Sequence, residues 1–156
     1  MKDRSYLEKV LLGKLINNKK EYYNNHSLLS SDIFKELEHK KLYIILDKTL
    51  QEKGECDLSN FYKESDNKYD AIKLAHECTE RAYDPYIAKN LILMLLESNK
   101  MGQLEELIGR VSRQINDKED LFTIIDYAER ELQKIGNVTN DKLVHISEQM
   151  PGMVKS

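Results

Sequence analysis

The sequence predicts an all-α protein: a small helical-bundle head, then an antiparallel helical hairpin, then the start of a linker helix. Three observations predict it. Apolar residues recur at three- and four-residue spacing along most of the chain, as they do on one face of a helix. Turn formers are scarce, with 6 Gly and 2 Pro in 156 residues. No run of alternating β-branched residues suggests a strand. The expected organisation is a head over residues 1–83, a long helix and hairpin over 84–136, and a linker segment over 137–156 leading toward a further domain. With 40% hydrophobic residues, the chain has enough apolar material for one or two cored domains.

The first helix is expected from Ser5. Ser5-Tyr6-Leu7-Glu8 fits a capping box, in which serine and glutamate satisfy each other's orphan amides. Leu7, Val10, Leu11 and Leu15 form its apolar stripe. Gly13 lies inside this helix, where it costs about 1 kcal/mol relative to alanine, and it lets a second helix approach closely. Asn17 to Ser27 is polar and rich in Asn and Lys, and reads as a loop with one turn near Tyr22 and Tyr23. Ser30, Ser31 and Asp32 supply capping oxygens for a short helix holding Ile33, Phe34 and Leu37. A helix from His39 to Lys53 presents Leu42, Ile45, Leu46, Thr49 and Leu50 on one face, and Gly54 ends it as a C-terminal cap. Asp57 caps a short helix through Phe61 and Tyr62. Ser65-Asp66-Asn67 forms a break, after which Tyr69, Ile72, Ala75, His76 and Thr79 mark the next amphipathic helix.

Asp84-Pro85 combines a preferred N-cap with a preferred first helical residue. A long helix is therefore expected from Pro85 to Ile115, with Gly102 and Gly109 as points of bending. Its second half carries Leu104, Ile108, Val111 and Ile115. After a break at Asn116-Asp117, Leu121, Ile124, Ile125, Ala128, Leu132 and Ile135 define a second helix ending at Gly136. So short a connection makes the two helices antiparallel. Asp141 starts a last amphipathic stretch with Leu143, Val144, Ile146 and Met150, closed by Pro151-Gly152.

Composition excludes several functions. Duplex DNA carries dense negative charge and its stand-alone binders are basic. This chain has a net charge of -3, so no direct DNA binding is expected, with local basic pairs only at Lys19-Lys20 and Lys40-Lys41. Two cysteines are too few for a disulfide framework and read as reduced thiols. Met1-Lys2-Asp3-Arg4 leads into a mixed helix without a signal peptide. The longest apolar run, around Leu91 to Leu96, is bracketed by Lys89 and Glu97 and is too short to span a bilayer. A soluble cytoplasmic protein without a membrane partner is expected.

Chemistry is equally thin. Leu12-Gly13-Lys14-Leu15 lacks the upstream glycine and the hydroxyl of a phosphate-binding loop. His76, Glu77 and Cys78 are adjacent on a helix and point in different directions, so they cannot close together on one zinc; a partly buried His76 and a Cys78 acting as a small hydrophobe are expected. His39 stands beside Lys40 and Lys41 with no nucleophile near it, which favours a packing or capping role. Glu105-Glu106 and Glu119-Asp120 read as solvated faces and first-turn dipole complements. No catalytic, cofactor-binding or metal-binding residue is assigned, no cofactor is expected for this chain, and it is not expected to be an enzyme.

One resemblance bears on function. Leu7-Glu8 and Leu11-Leu12-Gly13 are followed by Leu29-Ser30-Ser31-Asp32-Ile33-Phe34, then His39, Leu42-Tyr43, and the turn Gly54-Glu55-Cys56-Asp57. Downstream comes Asp126-Tyr127-Ala128-Glu129, with Leu132 and Ile135. This order resembles the N-terminal domain of the DnaB-type replicative DNA helicases from about Leu7 to Ile135. Leu12, Gly13, Phe34, His39, Tyr43, Asp57 and Glu129 match the family's structural positions. The chain departs from the family in a glycine-to-aspartate turn one residue shorter, in the loop after the first helix, and in lacking the arginine usual near Gly102-Gln103. The resemblance implies a non-catalytic domain whose hairpins pair between subunits, dimer by dimer, in the collar of a hexamer. It also implies docking of primase, and in some systems of a helicase loader. ATP and magnesium would belong to a separate motor domain, and the parent would be an ATP-dependent DNA helicase.

The hairpin supports self-association on its own terms. Two helices have no second layer to cover both faces. Leu104, Ile108, Val111, Leu121, Ile125, Ala128 and Leu132 would leave an apolar seam for another hairpin to bury. About 1,000 Å² suffices for a specific interface. Two other readings compete: an independent small helical adaptor or regulatory protein, and a helical enzyme with a deep polar pocket and strongly perturbed carboxylates.

Overall fold

The computed structural model describes the backbone of residues 3–149 and the side chains of residues 3–136. Among these residues every regular element is helical. They are α1 (Arg4–Asn17), α2 (Lys19–Asn24), α3 (Leu37–Lys53), α4 (Leu58–Glu64), α5 (Lys68–Glu80), α6 (Ala88–Asn116) and α7 (Leu121–Gln149), with 3-10 turns at His26–Leu28 and Ser31–Ile33. The all-α expectation holds. No helix among the described residues is long and apolar enough to cross a membrane.

The chain divides into two compact units between Leu96 and Glu97, inside α6. The sequence places the corresponding boundary at residue 84. The difference arises because Ala88, Leu91, Ile92 and Leu95 are buried, so the first turns of α6 belong to the head.

In the head, α1 starts one residue before Ser5. Asp3 is its cap, accepting the Tyr6 amide at 2.8 Å, and the expected Ser5/Glu8 capping box does not form. Glu8 is instead fully buried. The segment after α1 is not a loop: Asn18 caps α2, which seals Tyr22 into the core. Ser30 makes no capping side-chain bond, and only one 3-10 turn separates it from Phe34. Leu37 opens α3 facing solvent.

Gly54 ends α3 at φ 73°, the left-handed conformation that glycine adopts without strain. Asp57 caps α4 through a reciprocal box with Asn60. Helix α5 buries Ala75 and Cys78. Tyr69 is exposed and His76 lies in solvent 3.0 Å from Glu80, so the buried face of α5 is rotated from the expected one.

Gly13 marks a close approach of two helices in the head. A Cβ built there would lie 1.9 Å from the carbonyl oxygen of Cys78, so α1 and α5 can cross only because this residue is glycine. Asp84-Pro85 does not start a helix. Asp84 is buried and its carboxylate accepts the Tyr6 hydroxyl at 2.6 Å, while the Lys14 ammonium donates to the carbonyls of Ala82 and Asp84 at 2.9 and 2.6 Å. That anchoring holds residues 84–87 outside the helix, and α6 begins at Ala88.

In the second unit, α6 runs without a break through Gly102 and Gly109 to Asn116. The chain turns at Asp117 to Asp120 through bonds from the Asp117, Lys118 and Glu119 amides to the carbonyls of Arg113, Ile115 and Gln114. Lys118 takes φ 55° in this turn. The Asp120 carboxylate accepts the Thr123 amide at 3.2 Å and caps α7. Gly136 does not stop α7, which continues to Gln149; the expected break over 137–140 and the separate start at Asp141 are absent from its backbone. The expected close at Met150 and Pro151-Gly152 lies outside the described residues.

Candidate functional site

Two regions gather the residues that the sequence singles out. The first is a polar knot in the head. The Glu8 carboxylate accepts Arg4 Nε at 2.8 Å, the Lys35 amide at 3.1 Å, the Glu36 amide at 3.4 Å and His39 Nδ1 at 2.9 Å. These donors use its four lone-pair directions. The α3 N-terminus has no capping side chain of its own, so Glu8 supplies one from α1. His39 Nε2 lies 3.3 Å from the Glu36 carboxylate. Burial works against ionisation of Glu8, but the donors from His39, Lys35 and Arg4 outweigh it and hold its carboxyl below the usual range.

The knot is enclosed: Glu8 is fully buried and His39 nearly so. Its carboxylate is saturated by these four donors, which fix α1 against α3. His39 is buried on α3 against Glu8, the partner that sequence reasoning missed.

Most of the other family-motif residues are core. Leu12 and Phe34 are fully buried, and the Phe34 and Tyr43 rings pack at 5.4 Å between centroids. Burial pushes the Tyr43 phenol well above its ordinary value. Gly13 makes the helix crossing and Asp57 the α4 cap. Asp57 and Glu129, the latter on α7, are exposed. A smaller cluster joins Tyr22, whose hydroxyl donates to Asp47, to Gln51, which donates to Asp47 at 3.0 Å. Burial and the Asp47 carboxylate push the Tyr22 phenol up to about 12. Burial similarly pushes the Cys78 thiol up to about 12 and Cys56 to about 11. Among the described residues, no group of three His, Cys, Asp or Glu side chains is placed to hold a metal ion.

The second region is the hairpin. Its inner face is Leu104, Leu107, Val111 and Gln114 on α6 with Ile124, Ala128, Glu131 and Ile135 on α7, all buried or half-buried. The alternating four- and three-residue spacing is that of paired helices. Leu107 is 6% exposed and Ile124 8%. The Arg110 guanidinium donates to the Tyr127 hydroxyl at 3.2 Å, and Gln103, Leu107 and Arg110 share a groove with Glu131, Lys134 and Ile135. These pairings fix an antiparallel register and define one flank of the hairpin as polar.

The opposite flank is apolar. It carries Met101, Ile108 and Ile115 from α6 and Ile125 and Leu132 from α7, each one residue beyond an inner position or seven from such a residue. Ile108 is 59% exposed, Leu132 49% and Phe122, near the tip, 77%. In an antiparallel pair these positions fall on the same side, so they form one stripe rather than scattered residues.

The expected seam is therefore two surfaces. Leu104, Val111 and Ala128 are half-buried within the hairpin and are not free for a partner, because the inner face needs them. Ile108, Leu121, Ile125 and Leu132 are exposed. Met101, Ile115 and Phe122 were not assigned from the sequence, although the seven-residue interval from Met101 through Ile108 to Ile115 carries the signal. Set against protein-family models and against curated proteins, the chain matches none of them.

Proposed function

We propose that this chain is a non-catalytic association module that pairs with a second copy through its hairpin and docks partner proteins, as the N-terminal domain of a DnaB-type replicative helicase does. The observation that carries the reading is the apolar flank of the hairpin. Exposed apolar stripes of this length, bordered by polar residues, mark contact surfaces in water-soluble proteins. The opposite flank is polar and the inner face is occupied, so the stripe is the surface left to cover.

The helicase context rests on the ordered motif from Leu7 to Ile135. The Glu8–His39 knot supports a role for those motif residues in building the head, with no chemistry assigned to them. On this reading the chain binds no cofactor, ATP and magnesium serve a motor domain elsewhere in the parent, and the setting is cytoplasmic. Pairs of chains would assemble into a hexamer collar, with primase and, in some systems, a loader as visiting partners. DNA is not a direct ligand.

Light scattering on the purified chain tests the association. A mass of two or more copies is expected, and a strictly monomeric mass at high concentration overturns it. Titration with a replicative primase tests the context: saturable binding supports it, and no binding leaves the module without its helicase assignment. ATP hydrolysis by this chain would overturn the non-catalytic reading.

A further inference from the structure

The geometry of the head points to a metal site: we propose that His26, Asp47 and Gln51 bind a divalent transition-metal ion such as zinc. This goes beyond the association reading, which gives the chain no cofactor, and does not depend on it. The ion would clip two elements of the head together, with no chemistry assigned to it.

Three acceptor atoms converge there on one amide nitrogen. Asp47 and Gln51 stand four residues apart on α3 and so share a face. His26 reaches that face from the 3-10 turn after α2. Gln51 Nε2 lies 3.0 Å from Asp47 Oδ1, 3.4 Å from the Tyr22 hydroxyl oxygen and 3.4 Å from His26 Nε2. A primary amide has only two protons to donate. When the imidazole offers its Nε2 lone pair, one of the three acceptors goes without. The two longer contacts are also beyond the usual range of a good hydrogen bond. A cation at that point has no such limit and satisfies all of them.

The spacing suits a metal. His26 Nε2 and Asp47 Oδ1 are 3.8 Å apart. Bonds of about 2.0–2.2 Å to one zinc ion bridge such a gap at an angle of roughly 120–135°, which a small side-chain movement brings to the tetrahedral value. His26 is 52% exposed and Asp47 33%, so an ion can enter from solvent and water can complete its shell. Gln51 is exposed, and on withdrawing it can turn its carbonyl oxygen to the ion as a third ligand. Imidazole nitrogen with carboxylate oxygen is a donor set that zinc shares with copper and nickel.

The surroundings already orient the ligands. Tyr22 is buried, and its hydroxyl donates to Asp47 and fixes the carboxylate. Its ring meets the His26 ring edge to face at 5.2 Å between centroids, which fixes the imidazole. Metal sites depend on such outer partners. The other histidine–carboxylate contacts compete poorly. His76 and Glu80 meet at 3.0 Å on one exposed helix face, where an ion would join no second element. His39 is buried against Glu8, whose lone pairs are already taken.

Calorimetric titration of the full chain with zinc alone tests the site. A background carrying Cys56→Ser, His76→Ala and His145→Ala removes the part-exposed thiol and leaves His26 and the buried His39 as its histidines. One saturable site is expected. His26→Ala and Asp47→Asn should each weaken it by about tenfold or more, and Tyr22→Phe, which removes only the orienting hydroxyl, by about tenfold. The thermal midpoint should rise with zinc in the background protein and stay fixed in His26→Ala. Circular dichroism checks that each variant keeps its helices; His26 is exposed, so its replacement leaves the core intact. No saturable uptake at millimolar zinc, or uptake that survives both His26→Ala and Asp47→Asn, overturns the site.

Discussion

The head and the hairpin are built from similar residues and treat them in opposite ways. The head takes a carboxylate out of water and surrounds it with donors from α1, α3 and the segment between them. The hairpin keeps most of its acids in solvent, with Glu131 half-buried, and leaves aliphatic side chains exposed beside a narrow inner seam. The first arrangement makes a unit that completes itself: the buried Glu8 carboxylate has all its partners at home. The second makes a unit that holds together but remains unfinished on one side. The difference shows where stability ends and availability begins, and each substitution below acts on one of the two.

The largest effect is expected at Glu8. Glu8→Ala leaves the buried His39, and the part-buried Lys35 and Glu36 amides, without their acceptor. Removing one partner from a buried charged network costs about 3–5 kcal/mol. Urea unfolding should show this as a lowered midpoint; an unchanged midpoint would remove the knot from the account of the head. The same group sets an acid limit. Its carboxyl is held below the ordinary value of 4.5, so its contribution is complete above that pH and is lost as pH falls through the lower folded value. Glu8→Gln should flatten this acid-side loss and leave the neutral-to-alkaline profile parallel to the parent.

Next is Gly13→Ala. Its new methyl group would meet the Cys78 carbonyl, a backbone atom that cannot swing aside. A loss of about 3 kcal/mol, the upper end for overpacking, is expected in the same unfolding measurement. A neutral result would mean that α1 and α5 can separate freely.

In the hairpin, Leu107→Ala should cost about 2 kcal/mol, because it empties the most buried inner position of α6. Hydrogen exchange should show faster opening in α6 and α7 after this change. If protection is unaltered, the inner seam is not what joins the two helices.

The smallest effect on the single chain is expected from Ile125→Asp with Leu132→Asp. Both side chains are nearly half exposed and lie outside the inner seam, so stability should move by no more than about 0.5 kcal/mol per site. Helix content should persist while the mass falls to one copy. A collapse of the helical signal would instead assign both side chains to the inner seam.

Much of this arrangement was legible in the sequence because it is written locally. Gly54 and Asp57 mark an end and a start within four residues, and Gly13 announces a close crossing by its place inside an apolar stripe. What could not be read joins residues distant along the chain. Glu8 looks like a capping partner for Ser5 because the local pattern permits it, and nothing nearby reveals His39, thirty-one residues on. Asp84-Pro85 has the chemistry of a helix start, but its carboxylate is taken by Tyr6 from α1. Gly136 has the look of Gly54, yet only Gly54 takes a left-handed conformation among the described glycines.

The hairpin was ambiguous for a different reason. With apolar residues at 104, 107, 108, 111 and 115, two stripes overlap on α6, and periodicity alone cannot say which faces inward. The burial of Leu107 and exposure of Ile108 decide it.

The thiol of Cys78 offers a clock. It lies fully buried where α5 crosses Gly13, and its depth suppresses the thiolate that alkylating reagents need. A reagent can therefore reach it only when that crossing opens. In a background without Cys56, the rate of labelling at Cys78 would time the breathing of the bundle around α1, whatever the rods downstream are doing.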